Sequence, residues 1–328
     1  MTSELSGNLL ITGGLGYLGG RIATYLATAA PRVSLRLMTH RDGDGVPDWA
    51  RHLDLAHADL LDYESLLPAV QGMDTVLHLA ALNEVDSQRD PELALEVNGK
   101  GTHRLLQACQ NQKVKRFIYM STFHVYGPAA LQPITEQTPT RPIHPYAITH
   151  RLAEDFVNWY GHTGEMETLV LRLSNGYGYP SDPHVQRWSL VFNDLCKQAV
   201  QQREIRLRSK GAQQRDFVSI TDVCRGIQHF LGLPSGGWGD GLFNFGGECS
   251  MSILQVAQHV ASEFSLRYGE TIPVIAGDSE DPDAASPVTY SIGKLRRTGF
   301  SPVGNMAEEV RRTFDICELL IPQHERPG

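Results

Sequence analysis

Asn8-Leu9-Leu10-Ile11-Thr12-Gly13-Gly14-Leu15-Gly16-Tyr17-Leu18-Gly19-Gly20 is the stretch that decides the fold of this chain. A short run of branched apolar residues ends in a glycine-rich turn and passes straight into residues 17–27, where apolar side chains recur at three- and four-residue spacing. Glycines at 13 and 16 permit a tight turn and let backbone approach a pyrophosphate, which then meets the partial positive charge of a helix N-terminus. Gly19 lets the helix pack on the strand, and Tyr17 and Leu18 open that helix beside the phosphates. The plain alternative is a flexible surface loop, but such a loop does not usually join a buried strand to an apolar helix.

Working outward, the first half alternates short apolar runs with amphipathic stretches, as a parallel sheet with helical crossovers requires. Strands are expected over residues 8–12, 33–38, 53–58, 75–79 and 116–121, with a sixth over 168–173 after a long helix that begins near Pro145. One continuous helix is expected over 92–110. This is a doubly wound α/β sheet of the Rossmann type. After Asn175 the rhythm breaks, and residues 176–183, dense in Gly, Pro and Ser, read as a loop between lobes. The expected division is a dinucleotide-binding domain over 1–175 with a return segment at 216–245, and a smaller substrate lobe from 176–215 and 246–328. Beyond the loop, 217–220 and 242–245 read as short strands, 253–264 as a helix and 278–287 as an acidic loop.

With 328 residues, 41% hydrophobic and 20% charged, the chain can bury one large core or two medium ones. A formal charge of −8 gives no cationic excess to hold a phosphate backbone, so nucleic acid is not an expected partner. No stretch approaches the ~18 unbroken apolar residues of a membrane span and no signal segment opens the chain, which reads as cytoplasmic. The five cysteines lie far apart without a Cys-x-x-Cys pair, so no metal site is expected.

The end of the second strand bears on cofactor choice, because an acidic residue there would bond ribose hydroxyls and repel a 2′-phosphate. The residues are Leu37-Met38-Thr39-His40-Arg41, without a carboxylate. Arg41 can pair a 2′-phosphate, or can be a solvated arginine beside Asp42; the reading inclines to NADP over NAD.

Together these segments resemble the extended short-chain dehydrogenase/reductase family, the group of nucleotide-sugar epimerases and dehydratases. The resemblance covers nearly the whole chain: residues 12–19, Ala58-Asp59-Leu60, His78-Leu79-Ala80-Ala81, Asn98 with Gly101-Thr102, Ser121-Thr122 before Val125-Tyr126-Gly127, Tyr146, Arg172-Leu173-Ser174-Asn175 and Arg215-Asp216-Phe217-Val218. It implies that Asp59 and Leu60 flank the adenine, that Leu79, Ala80 and Ala81 line the dinucleotide, and that Asn98 supports the central helix. It also implies a homodimer formed through the helices around 92–110 and 145–160.

The family's catalytic set is a Ser or Thr, a Tyr, and a Lys four residues after the Tyr. Its chemistry removes a proton from a sugar hydroxyl while hydride leaves the same carbon. A tyrosine pKa of ~10 must fall for this, and the neighbouring ammonium lowers it while holding the nicotinamide ribose. Thr122 and Tyr146 match, but the lysine position is His150. Either His150 is a working substitute, contributing to catalysis and to the cofactor site, or the fold binds without catalysing.

On the substrate side the resemblance assigns Asn175 and Arg215, with Thr122, to a nucleotide-diphosphate sugar; the alternatives are a turn residue before Gly176 and a partner of Asp216. Relatives that dehydrate the sugar place an acidic pair after the catalytic Thr, where this chain has Phe123 and His124. That favours an epimerase. An NADPH-dependent keto-sugar reductase is the alternative if Arg41 selects the phosphorylated cofactor, and a non-catalytic dinucleotide-binding scaffold or sensor is the reading from another class. The run Asn83-Glu84-Val85-Asp86 could face the sugar or start a helix, and Trp188 could stack on a base or fill the core.

Overall fold

The alternating pattern of the first half becomes, in the computed structural model, six strands: β1 (Gly7–Thr12), β2 (Val33–Thr39), β3 (Asp54–His57), β4 (Thr75–His78), β5 (Arg116–Thr122) and β6 (Glu167–Leu173). The structure describes residues 5–40, 45–128, 132–185, 187–280 and 288–321. Arg41 and Asp42, and residues 281–287 of the acidic loop, lie outside the described residues.

Neighbouring strands pair in parallel, and the seven-stranded sheet runs in the order Leu242–Phe245, β6, β5, β4, β1, β2, β3. The edge strand is parallel as well, since Val170 N donates to Gly241 O and Ser174 N to Phe245 O at one constant offset. Strand order reverses between β1 and β4, and in such sheets the crevice at the carboxyl ends of the strands flanking the reversal receives the ligand. Both faces of the sheet are covered, which is why the strands read as near-continuous apolar runs: Leu9, Leu10, Ile11, Val76, Leu77, Phe117, Ile118, Leu169, Val170 and Leu171 are buried.

The helices are α1 (Tyr17–Ala29), α2 (Tyr63–Val70), α3 (Glu84–Arg89), α4 (Pro91–Ala94), α5 (Thr102–Asn111) and α6 (Pro145–His162). The single helix expected over 92–110 is interrupted: between α4 and α5 the chain makes a π-helical turn over Leu95–Gly101. The turn carries two glycines packed closely against neighbours: a Cβ on Gly99 would lie 2.7 Å from Leu152 Cδ2, the movable end of a side chain, and one on Gly101 would lie 2.9 Å from Leu60 Cβ. Such turns occur often at functional sites, and this one carries Asn98.

The chain divides into two compact units. The first takes in Met1–Leu131, Glu136–Leu173 and Gly226–Asn244; the second takes in Gln132–Thr135, Ser174–Arg225 and Phe245–Gly328. In the second, the strand Gln214–Ser219 pairs in parallel with Asn175–Tyr177 and antiparallel with Ser250–Ser252. The loop expected over 176–183 therefore begins only after Tyr177. The strand expected at 217–220 runs instead over Gln214–Ser219, because Ser219 Oγ accepts from Asp222 N and Ile220 opens a helix, Ile220–Gly232. Helices Val191–Gln202, Ile253–Tyr268 and Met306–Leu319 enclose a core that includes Phe192, Phe217, Phe264 and Phe314. A capping box of Ser252 and Gln255 starts the second of these. Trp188 packs against this same core.

Among the described residues no helix is long and apolar enough to cross a membrane, and no three His, Cys, Asp or Glu side chains gather as a metal site.

Candidate active site

The glycine turn at the carboxyl end of β1 is closed by a bond from Gly16 N to Gly13 O (2.9 Å), with Gly13 at φ +65°. A Cβ on Gly13 would lie 3.1 Å from Ala80 N, and one on Gly19 would lie 2.3 Å from Gly13 O and 2.8 Å from Gly14 Cα. Gly14, which sequence reasoning passed over, is equally confined, its Cβ position lying 2.7 Å from Leu37 Cβ. The N-cap of α1 is Gly16, which has no side chain to bond the first-turn N–H groups. Tyr17 and Leu18 begin the helix there, so the turn has the form of an anion cradle.

A buried chain of hydrogen bonds fixes the loop opposite this turn. Thr12 Oγ1 bonds His78 Nδ1 (2.7 Å), and His78 Nε2 bonds Thr102 Oγ1 (2.9 Å). Thr102 spends its own proton on Asn98 O (2.6 Å), so His78 donates from Nε2 and accepts at Nδ1 as a neutral ring. Burial agrees, pushing the His78 pKa down to about 3. Thr12 Oγ1 also accepts from Leu79 N and Ala80 N, and Asn98 Oδ1 accepts from Leu82 N (2.7 Å), so the segment Leu79, Ala80, Ala81, Leu82 is held from both ends. Asn98 Nδ2 then reaches Thr149 Oγ1 (3.0 Å) on α6. Asn98 thus ties the π-helical turn to α6.

On α6, Tyr146 and His150 stand one turn apart with ring centroids 4.3 Å from each other. His150 is 3% exposed, its Nδ1 lies 2.5 Å from Tyr119 Oη, and its Nε2 is buried without a hydrogen-bond partner. Its pKa is pushed down to about 3 by burial first and then by repulsion from His78, His124 and His144. Tyr119 is fully buried, and burial, with Glu154 and Tyr146 adding to it, raises its phenol well above the ordinary value. Thr122 ends β5 and caps the short helix Phe123–Tyr126, its Oγ1 accepting from His124 N (3.2 Å). The His124 ring stands 6.3 Å from that of Tyr146 and 5.2 Å from that of His144. A tight glycine turn that ends in a helix N-terminus without a side-chain cap, and an orphaned, buried imidazole nitrogen, both suit a bound dinucleotide.

The model of the NAD dependent epimerase/dehydratase family matches residues 9–246. The chain belongs to that family. It is 30% identical to the dTDP-D-glucose 4,6-dehydratase of Mus musculus over 320 residues, 94% of this chain and 87% of that one. Its fold is that of the UDP-N-acetylglucosamine 4-epimerase from Methanobrevibacter ruminantium, with TM-score 0.82 and 21% identity over 96% of this chain and 99% of that one. It is also similar to the UDP-glucose 4-epimerase of Thermus thermophilus, solved with NAD, with TM-score 0.79 and 25% identity over 96% and 100% of the two chains.

Other members of the expected set sit in plainer surroundings within this epimerase/dehydratase fold. Asp59 is exposed after β3, its Oδ1 accepting from Leu61 N (2.9 Å), and Leu60 is buried in the core beside Gly101. Asn83 caps α3 by accepting from Val85 N and Asp86 N, so that run starts a helix. In the second unit, Asn175 Nδ2 donates to Asp216 O (2.9 Å), and Arg215 donates to Gln213 Oε1. The Asp216 carboxylate accepts from Gly247 N and Cys249 N. Asn175 and Arg215 lie on paired strands of one small sheet.

Sequence reasoning missed Tyr119 and Glu154. A signal existed: residues 119 and 121 share a face of β5, and 150 and 154 share a face of α6, because alternate strand positions and successive helical turns advance by similar distances. The structure matches them as Tyr119 with His150 and Ser121 with Glu154.

The glycine turn gives a direct expectation. Gly19→Ala places a Cβ against fixed backbone, and overpacking of this kind costs about 1–3 kcal/mol. Calorimetric titration should find nicotinamide dinucleotide binding abolished or severely weakened in Gly19→Ala; wild-type affinity in this variant would show that the turn does not hold the phosphates.

Proposed function

We propose that this chain catalyses nicotinamide-dependent oxidoreduction of a nucleotide-diphosphate sugar in the manner of an epimerase, with Tyr146 as base and His150 standing where the family pattern has lysine. The observation that carries this is the close pair Tyr146 and His150 on one face of α6, with a buried imidazole nitrogen left for a ligand. Gly13, Gly16, Tyr17, Leu18 and Gly19 would hold the dinucleotide phosphates, with Leu79, Ala80 and Ala81 alongside. Bound nicotinamide supplies the acceptor, and on return the donor, of a hydride at one sugar carbon. Tyr146 Oη takes the proton of the hydroxyl on that carbon as it becomes a ketone, and gives it back when the opposite face is reduced. Thr122 orients the hydroxyl, while Asn175 and Arg215 hold the diphosphate. Net change is inversion at one carbon, with no oxidant consumed.

Dehydration asks for a carboxyl at 123 or 124 to pass a proton to the leaving hydroxyl, and these are Phe123 and His124. Mass spectrometry and NMR of nucleotide sugars after incubation separate the two outcomes. A product of unchanged mass and inverted configuration supports the epimerase; loss of water would overturn it.

Arg41, in the sequence Thr39-His40-Arg41, favours NADP and with it a keto-sugar reductase as second reading. Arg41→Ala is expected to weaken NADP(H) more than NAD(H), by about 1–3 kcal/mol for a charge-assisted contact. Equal losses in paired calorimetric titrations would remove Arg41 from the site.

The same proposal includes a homodimer. Leu95, Ile148 and Trp159, on the π turn and α6, are about half exposed, and large apolar side chains left in water on adjacent helices mark an interface. Light scattering should give twice the chain mass, and Trp159→Glu should lower it; a monomeric wild type would contradict this.

A further inference from the structure

The family resemblance puts a cation at position 150, and this chain has instead a buried histidine whose ring is engaged on one side only. His150 Nδ1 lies 2.5 Å from Tyr119 Oη, and Nε2 has no partner. Two arrangements of protons satisfy that contact. If Nδ1–H donates to Tyr119 Oη, the phenol proton is left buried without an acceptor and the Nε2 lone pair without a donor. If Tyr119 donates to Nδ1, the phenol is fully used and only Nε2–H waits for a partner. Each buried polar group left unmade disfavours its state by about 5- to 150-fold, so the second arrangement prevails.

We infer that Tyr119 is a positioning residue that locks His150 as the Nε2–H tautomer, so that the chain offers a neutral, directed hydrogen-bond donor where its family uses an ammonium. This rests on the proposed place of His150 in the cofactor site. The acceptor it suits is a hydroxyl oxygen of the nicotinamide ribose. Around the ring stand Tyr119, Tyr146, His78, His124 and His144, and the carboxylate one turn along the same face, Glu154, is engaged by Ser121, Arg172 and Arg151. Burial of the phenol keeps Tyr119 protonated and therefore able to donate. The strand supplies the geometry. Tyr119 and Ser121 project from one face of β5, and Ser121 Oγ donates to Glu154 Oε1 (2.6 Å) one helical turn beyond the Tyr119–His150 contact. The facing of β5 and α6 is thereby pinned at two successive turns.

Histidine side-chain ¹⁵N NMR of the full chain, without substrate, reads the tautomer. An unprotonated Nδ1 and a protonated Nε2 on His150 are expected in the wild type, and loss of that preference in Tyr119→Phe. NADH should bind Tyr119→Phe about tenfold more weakly, while ADP, which lacks the nicotinamide ribose, should bind within about twofold of wild type. In a His150→Ala background, Tyr119→Phe should cost NADH binding nothing further. A wild-type Nδ1–H, a parallel loss of ADP and NADH, or an undiminished loss in the His150→Ala background would each overturn the inference. Absence of sugar turnover, with the expected tautomer present, would instead strike the proposed catalysis and leave the positioning role standing.

Discussion

Tyr146→Phe is expected to lower turnover of a nucleotide sugar by about 10²- to 10⁴-fold, the range that a positioned acid or base contributes. Phenylalanine keeps the ring beside His150 and removes only the oxygen that carries the proton, so dinucleotide binding should survive. The pH dependence gives the sharper test. With its pKa pushed down to about 3, His150 carries no charge at neutrality and offers no cation to favour the phenolate form of Tyr146. Turnover should therefore be slow near pH 7 and climb towards alkaline pH. His150→Lys introduces a cation one turn from the base, which stabilises the phenolate and should move the alkaline rise to lower pH. The same burial that holds His150 neutral opposes the ammonium, so the shift will be smaller than an exposed lysine would give. An unchanged rate in Tyr146→Phe, or an alkaline limb that His150→Lys does not move, would refute this mechanism.

Glu154→Ala is expected to destabilise the fold by about 3–5 kcal/mol, the cost of breaking a buried ion pair from one side. The Glu154 side chain is fully buried and its carboxylate is saturated. Oε1 accepts from Ser121 Oγ (2.6 Å) and Arg172 Nε (2.9 Å); Oε2 accepts from Arg172 Nη2 (2.7 Å) and Arg151 Nη1 (3.2 Å). Arg172 also donates to Tyr126 Oη (3.0 Å), which donates to Asn244 Oδ1 (2.6 Å). Burial alone would lower the Arg172 pKa, but the bonds and charge of Glu154 outweigh it and raise it above the ordinary value. Alanine strands that guanidinium in a dry site, whereas Glu154→Gln keeps an acceptor and should cost less. Urea unfolding measures both; a loss below about 1 kcal/mol in Glu154→Ala would show that water replaces the carboxylate and that the network does not hold β5, β6 and α6 together.

The parallel sheet was legible because both its faces are buried, so β1, β4, β5 and β6 stand out as apolar runs without needing partners to explain them. The glycine turn was legible for a related reason: Gly19 answers to the backbone of Gly13 and Gly14 a few residues away, and Gly13 takes a positive φ that glycine favours. Tertiary contact hid the rest. Ala94, Val97, Leu105 and Ala108 recur as an unbroken helix would have them, and the π turn with its close contacts of Gly99 to Leu152 and Gly101 to Leu60 involves residues distant in sequence. Gly176 and Tyr177 read as loop because glycine punctuates a sequence whether or not a neighbouring strand claims it, as Gln214–Ser219 does here. Tyr119 passed for one more aromatic in a buried strand. Its role depends on which residue of α6 faces it, and that register is written in neither segment alone.

Whether this chain transfers hydride is decided by the nicotinamide absorbance of the purified protein, loaded with NAD or NADP and mixed with a panel of UDP- and dTDP-linked sugars across neutral to alkaline pH. A transient change of nicotinamide oxidation state, reversed as the inverted sugar forms, is expected with at least one of these sugars, faster as pH rises and absent in Tyr146→Phe. Bound cofactor that shows no transient change of absorbance, together with recovery of every sugar unchanged at every pH, would contradict the proposed catalysis, and would mark the chain as a dinucleotide-binding protein that does not catalyse hydride transfer.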